Sequence, residues 1–392
     1  MRLLPYIISL ISCLQVFSQE NHKLDSLIKN KQYLSAWNHL ESIESQNNKL
    51  EVNLTKIDLC LKYFTKTISH QAFAFNNLKE NESLLSQRRM ADQKMIPIKS
   101  FKINLILDSL INEYPKDYRL MKAQGDYYYD IFILYGKDWI KNKQEVLRRM
   151  YNGYSVAEKN GVIDYISLYA LGYFHNLNEQ SNQAIEYFNK SLKLDSNYAP
   201  THYNLAYLYT EIDSNEAALY HAWKAYQNYK YINYKNDAGQ MTGSLLGKLG
   251  RHSEAISILL DCDKLIPNTY HTYYYLLNSF LSLGRMSEAL ITAENMFYLD
   301  WKSHTINMDI VEFFVKNNHT NELIDFYNLR LEKELYDMEF RGHVYLHIAQ
   351  AYDLNNNKNQ TLDNVEKARD SFSVCYDSGH PIFGVLDKMG SK

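Results

Sequence analysis

The stretches LGRHSEAI at 249–256 and LGRMSEAL at 283–290 agree in six of eight letters and begin 34 residues apart. Such a pair is either a chemical motif used twice or a structural joint used twice, and the flanking sequence decides between them. Small residues recur at Ala184, Ala218, Ala255 and Ala289, and Leu323 continues the step; the intervals are 34, 37, 34 and 34. About twelve residues before each stands Gly172, Ala206, Gly243, Leu277 or Val311, followed three later by His175, Tyr209, Leu246, Phe280 or Phe314. Four residues after each comes Phe188, Ala222, Leu259, Ala293 or Tyr327. Self-similarity at a fixed period of this length marks a repeat architecture.

Within YNLAYLYTEIDSNEAALYHAWKAY at 203–226, apolar residues recur three and four apart on both sides of Asp213-Ser214-Asn215. Two helical periods split by a short polar break read as an antiparallel helical hairpin. The octets sit at that break. Gly250 and Gly284 follow the last turn of the first helix, where a left-handed residue ends it at little cost. Ser253 and Ser287 are expected to cap the second helix, with Glu254 and Glu288 beside its positive end. Ala255 and Ala289 are small where two helices cross closely. The octet is a joint.

These features resemble the tetratricopeptide repeat family. Its pattern W-x2-L-G-x2-Y…A-x3-F…P fits Leu168-x2-Leu171-Gly172 and Ala184-x3-Phe188, with Pro267 at a unit end and Pro200 just inside the next start. The resemblance covers six units over 165–372, the last with Ala349, Tyr352 and Ala368 in the slots. A seventh begins at Tyr118, where Gly125-Asp126-Tyr127-Tyr128 fits the first helix, and runs longer than the pattern up to Gly153. KNKQYLSAWNHLESI at 29–43 looks like one more second helix with Ala36 in the small slot. Residues 44–117 show helical periodicity without a register. The resemblance implies an all-α fold, a right-handed α-solenoid of stacked helical hairpins in which each unit buries its apolar faces against its neighbours. The expected organisation is a signal peptide at 1–18, a helical region of degenerate repeats at 19–117, the solenoid at 118–372 and a cap or tail at 373–392.

The first eighteen residues, MRLLPYIISLISCLQVFS, read as an export signal cleaved after Ser18: one Arg, a short apolar run, then Val16-Phe17-Ser18 ahead of Gln19. This predicts a periplasmic or secreted protein. An alternative is lipid anchoring at Cys13, because Leu10-Ile11-Ser12-Cys13 resembles a bacterial lipobox. No later apolar run is long enough to span a bilayer. Cleavage after Ser18 leaves Cys60, Cys262 and Cys375, an odd number at wide spacings that spells neither a disulfide framework nor a zinc site. With 42 basic against 45 acidic residues there is no general positive field, so nucleic acid is not expected as a partner. The 34 Tyr reflect coding bias or a surface that binds through Tyr.

Candidates for catalysis are few. Gly243-Ser244-Leu245-Leu246-Gly247-Lys248-Leu249 looks like a phosphate loop, but its spacing is one short, no Ser or Thr follows the Lys, and it lies in a helix of a repeat. His343 and His347 stand four apart on a helix, a metal-ligand spacing without a third ligand. There is no G-x-S-x-G and no Cys in a nucleophile signature. The expectation is therefore a non-enzymatic protein with no cofactor and no metal.

In proteins of the family it resembles, ligands lie in the concave groove lined by the first helix of each unit. The helical phase points Tyr169, Tyr173 and Asn176, then Tyr203, Asn204 and Tyr207, then Gln240 and Ser244, then His271, Tyr274 and Asn278 into that groove. Tyr combines broad apolar area with one hydrogen-bonding tip and little rotamer entropy to lose, which suits peptides or sugars. No Lys stands among these positions, unlike the family's carboxylate-gripping peptide clamp. Packing between neighbouring helices would place Tyr on this face equally well. The leading expectation is a scaffold of the bacterial cell envelope that binds a protein or peptide. The alternative is an accessory or oligosaccharide-binding component of a polysaccharide utilisation system.

Overall fold

The computed structural model describes residues 22–45, 48–93, 96–136 and 138–390, so the signal at 1–18 and Cys13 lie outside the described residues. The chain divides into two compact units, the first ending at Ser196 and the second beginning at Asn197. The expected boundary at 117/118 thus lies within the first unit.

One backbone device joins the helical pairs of both units. Lys31, Glu179, Asp213, Gly250, Gly284, Asn318 and Asn356 all have left-handed φ, between 53° and 73°. The following amide then donates back to the carbonyl five residues earlier: Gln180 to His175 at 2.9 Å, Arg251 to Leu246 at 2.8 Å, Arg285 to Phe280 at 2.9 Å and His319 to Phe314 at 2.8 Å. This is the Schellman closure, which satisfies carbonyls that a helix end otherwise leaves bare. Gln32 makes the same bond to Leu27 at 2.8 Å, so the helical residues 22–29 and helix α1 (Tyr33–Ile43) form a hairpin, with Ala36 fully buried.

The octets differ from expectation in one respect. The residues before the second helices are Arg251 and Arg285, and neither Ser253 nor Ser287 makes a capping bond. Each Arg instead clasps the Glu of the first turn: Arg251 reaches both oxygens of Glu254 at 2.7 Å, and Arg285 reaches Glu288 at 2.6 Å. His319 holds Glu322 likewise at 3.1 Å. A side chain two positions inside the helix points away from the open amides, so a Ser there cannot cap. The spacing shared by the two octets serves an ion pair next to the positive helix end.

The first unit continues with α2 (Lys49–Lys62), α3 (Leu84–Met90), α4 (Ile103–Glu113), α5 (Tyr118–Tyr135), α6 (Lys143–Lys159), α7 (Tyr165–Leu177) and α8 (Ser181–Leu194). Where periodicity alone suggests helix throughout 44–117, strands β1 (Lys66–Ile68), β2 (Ala72–Ala74) and β3 (Lys99–Ser100) form a small antiparallel sheet in the order β1-β2-β3. Thr67 pairs with Phe73 and Phe73 with Lys99. Aromatic residues hold its flanks: Phe75, just after β2, stacks on Trp37 of α1 at 5.0 Å, and Trp139 Nε1 donates to the carbonyl of Ser69 in the β1–β2 turn at 2.7 Å. Strands of two or three residues are too short to show a period of two, so the sheet was not readable as such.

The second unit contains five hairpins: α9 (Ala199–Glu211) with α10 (Asn215–Asn228), α11 (Ile232–Lys248) with α12 (His252–Leu265), α13 (Tyr270–Ser282) with α14 (Met286–Phe297), α15 (His304–Lys316) with α16 (Thr320–Lys333), and α17 (Met338–Leu354) with α18 (Lys358–Cys375). One apolar core runs from Ala206 to Ala351. In two successive hairpins the residues seven before and nine after the joint have complementary bulk, whereas α9–α10 has Ala206 and Ala222 there and α15–α16 has Val311 and Tyr327. A Cβ on Gly243 would sit 2.6 Å from the Leu259 side chain, while the next hairpin reverses the sizes with Leu277 and Ala293, both fully buried. Helix α19 (Pro381–Gly390) closes the end by burying Phe383 and Leu386 against Leu346, Val365 and Phe372.

Candidate functional site

The joints provide a common frame for the residues expected to face a groove. Ten and six residues before each joint stand Tyr169 and Tyr173 (Glu179), Tyr203 and Tyr207 (Asp213), Gln240 and Ser244 (Gly250), and Tyr274 and Asn278 (Gly284). Equal offsets on equivalent helices place each column on one helical face.

In the first unit, Tyr169 is buried against Phe188 with centroids 5.6 Å apart, and Tyr173 lies 6.0 Å from Phe132 of α5. Asn176 is half-buried at the end of the same helix. Tyr169 is taken up in packing against Phe188, the large residue that fills the space beside Gly172.

In the second unit the two columns behave differently. The column at ten is absorbed by neighbouring helices. Gln240 of α11 donates to Thr272 Oγ1 at 3.0 Å and Thr269 Oγ1 at 3.3 Å, at the start of α13. Tyr274 packs on Phe313 of α15 at 4.8 Å, and beside it Tyr270 donates its hydroxyl to Asp309. Tyr203 meets Tyr229 at 6.3 Å, and burial raises its hydroxyl pKa, with Asp237 adding to the shift. The adjacent Asn204 donates to the Pro200 carbonyl within its own helix at 2.9 Å.

The column at six is less engaged by its neighbours. Tyr207 is 49% exposed, its pKa raised by a hydrogen bond to Glu211. Ser244 and Asn278 are half-buried, and His271 near the start of α13 is exposed. Of the expected site residues, Tyr207 and His271 are thus exposed, Tyr169 is buried and the others are half-buried.

Phase reasoning on first helices missed an aromatic group at 229–234. Between Ala218 and Ala255 the repeat step is 37 residues and not 34. The extra length goes into α11, which has 17 residues where α9 and α13 have 13. The added turn and its connector present Tyr231 at 65%, Ile232 at 51% and Tyr234 at 57% exposure. The lengthened step was the available signal.

The remaining chemical candidates are structural. The phosphate-loop look-alike at 243–249 lies almost wholly within α11, so no strand-to-helix turn exists to present amides to a phosphate. His347 is buried, its Nδ1 3.1 Å from Gln350 Oε1, and burial lowers its pKa to about 4. Half-buried His343 lies edge-on to Trp301 at 5.4 Å. Among the described residues, no group of three or more His, Cys, Asp or Glu could hold a metal ion. Cys60 and Cys262 are buried, Cys375 is exposed, and all three are free. No described helix is long and apolar enough to cross a membrane.

Known proteins share this arrangement of hairpins and joints. Residues 165–198 match the tetratricopeptide repeat. That segment is the hairpin of α7 and α8, and the tetratricopeptide-like architecture of stacked helical hairpins extends beyond it. No curated protein matches the chain. Similar solved structures include a tetratricopeptide repeat protein from Parabacteroides merdae, with 14% identity, a TM-score of 0.42, and coverage of 73% of this chain and 97% of that one. The C-terminal part of a repeat-containing protein from Cytophaga hutchinsonii has 10% identity, a TM-score of 0.40, and coverage of 67% and 87%. YrrB, described as a tetratricopeptide repeat protein with an unusual peptide-binding site, has 17% identity, a TM-score of 0.37, and coverage of 56% and 93%.

Proposed function

We propose that this chain is an exported, non-enzymatic scaffold of the bacterial cell envelope that holds a protein or peptide partner against the first helices of its second unit. The observation that carries the reading is the contrast between the two columns. The earlier position is engaged by a neighbouring element in three successive hairpins, Tyr203 with Tyr229, Gln240 with Thr269 and Thr272, and Tyr274 with Phe313, while four residues later Tyr207 is exposed and Ser244 and Asn278 are half-buried. Side chains with one polar tip and moderate entropy, repeated along an array, suit an extended partner that makes many small contacts. Export rests on the signal-like segment at 1–18.

The test is affinity capture from an envelope extract with mature chain 19–392, beside a Tyr207→Ala/His271→Ala/Asn278→Ala variant. A protein recovered by the wild type and lost by the variant supports the reading. Equal recovery by both moves the partner site off this face. If neither recovers a specific protein, oligosaccharide binding by the same face becomes the reading to measure.

A further inference from the structure

The segment between Glu216 and Asp237 contains no carboxylate side chain, yet carries Lys224, Lys230 and Lys235 among Tyr220, Trp223, Tyr226, Tyr229, Tyr231 and Tyr234. In a chain of net charge −3, this is a local reversal of sign. The structure gathers the segment into one surface on α10, its connector and the added turn of α11. Trp223 lies 5.7 Å from Tyr226, Lys235 sits over the Tyr226 ring at 5.2 Å, and Lys224 sits over Tyr220 at 6.0 Å. Tyr234 meets Tyr229 at 5.5 Å and Tyr231 at 6.4 Å. Much of it faces solvent: Tyr220 is 55% exposed, Trp223 37% and Tyr231 65%. Asp237 and Asp261 are the carboxylates that act on these rings, and Asp261 is paired with Lys264 at 2.9 Å.

Beside the strip is a slot of about 360 Å³, walled by Leu219 and Trp223 of α10, Leu246 of α11 and Ile258 of α12. Arg251 and Glu254 at its edge are clasped to each other, so the slot offers apolar walls with a neutralised rim. A cleft of this size has room for a large apolar side chain together with part of its flanking backbone.

We propose that this surface is a second docking site, for an acidic peptide segment of a partner protein that places an aromatic or aliphatic side chain in the slot. The lysines supply the charge complementarity, as separate point charges suited to carboxylates spaced along a chain. The Trp and Tyr rings supply the contact area typical of binding hot spots. The rings favour a peptide over a sugar chain because they form no flat platform: Trp223 and Tyr226 are inclined by 41°, Tyr229 and Tyr234 by 33°, and Tyr231 and Tyr234 by 88°. Clefts between tilted rings receive side chains.

The experiment measures fluorescence anisotropy of a labelled glutamate–tyrosine copolymer titrated with the mature chain, against a lysine–tyrosine copolymer, a polyuronate and anionic lipid vesicles. The glutamate–tyrosine copolymer is expected to bind, weakening as salt rises. Lys224→Ala/Lys230→Ala/Lys235→Ala is expected to reduce affinity about tenfold. Lys→Arg at the same positions should retain binding, and Ser257→Phe, which fills the slot from its exposed rim, should reduce it. The Tyr207→Ala/Asn278→Ala variant should bind as the wild type does, so failure of the first-helix reading leaves this one standing. Tighter binding to the polyuronate or to vesicles, equal binding to the basic copolymer, or indifference to the lysine and slot variants would each overturn the proposal. Thermal melts of every variant separate lost binding from lost fold.

Discussion

At the scale of single residues, two kinds of position carry the fold. The first is the helix crossing. A Cβ on Gly153 would lie 2.7 Å from the Gly125 amide nitrogen and the Met121 carbonyl, which are backbone atoms that cannot rotate aside. Gly153→Ala should therefore destabilise the first unit by about 2 kcal/mol, seen as a lower urea midpoint; an unchanged midpoint would show that the helices can part without cost. The second is the left-handed joint. Gly250 has φ of 73° without strain, whereas Asn318 takes 63° and Glu179 58° with side chains. Gly250→Ala should lower the midpoint and Asn318→Gly should leave it equal or higher, since adding a Cβ at this φ is penalised and removing one relieves it. Both substitutions probe the same geometry from opposite sides.

At the scale of elements, helices α15 to α17 bury polar groups that the repeat pattern does not require. His347 of α17 packs on Tyr327 of α16 at 5.8 Å, with its Nδ1 3.1 Å from Gln350 Oε1. Burial holds its pKa at about 4, against an ordinary value of 6.5. The unfolded chain takes up the proton near pH 6.5 and the folded chain only near pH 4. Its contribution is thus complete above pH 6.5 and is lost as pH falls toward 4, by on the order of 3 kcal/mol over the window. His221 of α10, lowered to about 4 by burial and by His202, acts in the same range. Urea midpoints measured from pH 7 to pH 4 should fall steadily, and His347→Leu should reduce that slope without abolishing it. A slope equal to the wild type's would mean that His347 is not buried as a neutral ring.

At the scale of the whole molecule, each hairpin completes its core against the next, so the last one needs a lid. Helix α19 provides it through Phe383 and Leu386, with Arg369 paired to Asp387 at 2.6 Å. Deleting residues 381–392 should bare Leu346, Val365 and Phe372 and drive self-association, measurable as a rise in mass by light scattering. A deletion variant that stays monomeric would show that α18 caps the array unaided.

Much of this was legible in the chain itself. The joints, the hairpins from 165 to 372, and the small column at Ala184, Ala218, Ala255 and Ala289 depend on local backbone preference and on side-chain volume at a fixed step. Both are written residue by residue, and repetition amplifies them. The sheet at 66–100 escaped because its strands are shorter than any measurable period, and it exists through contacts with Trp37 and Trp139, which are distant in sequence. The octets' serines misled because local preference cannot tell the residue before a helix from one two places inside it. Helical phase gave the direction of Tyr169, Gln240 and Tyr274, but only the packing of neighbouring helices decided that Tyr169 is buried and that Gln240 and Tyr274 are engaged while Tyr207 stays exposed. Local sequence thus determined where the chain turns and which faces are apolar, and tertiary structure alone decided which side chains remain free to bind, because exposure depends on the neighbours that folding brings near.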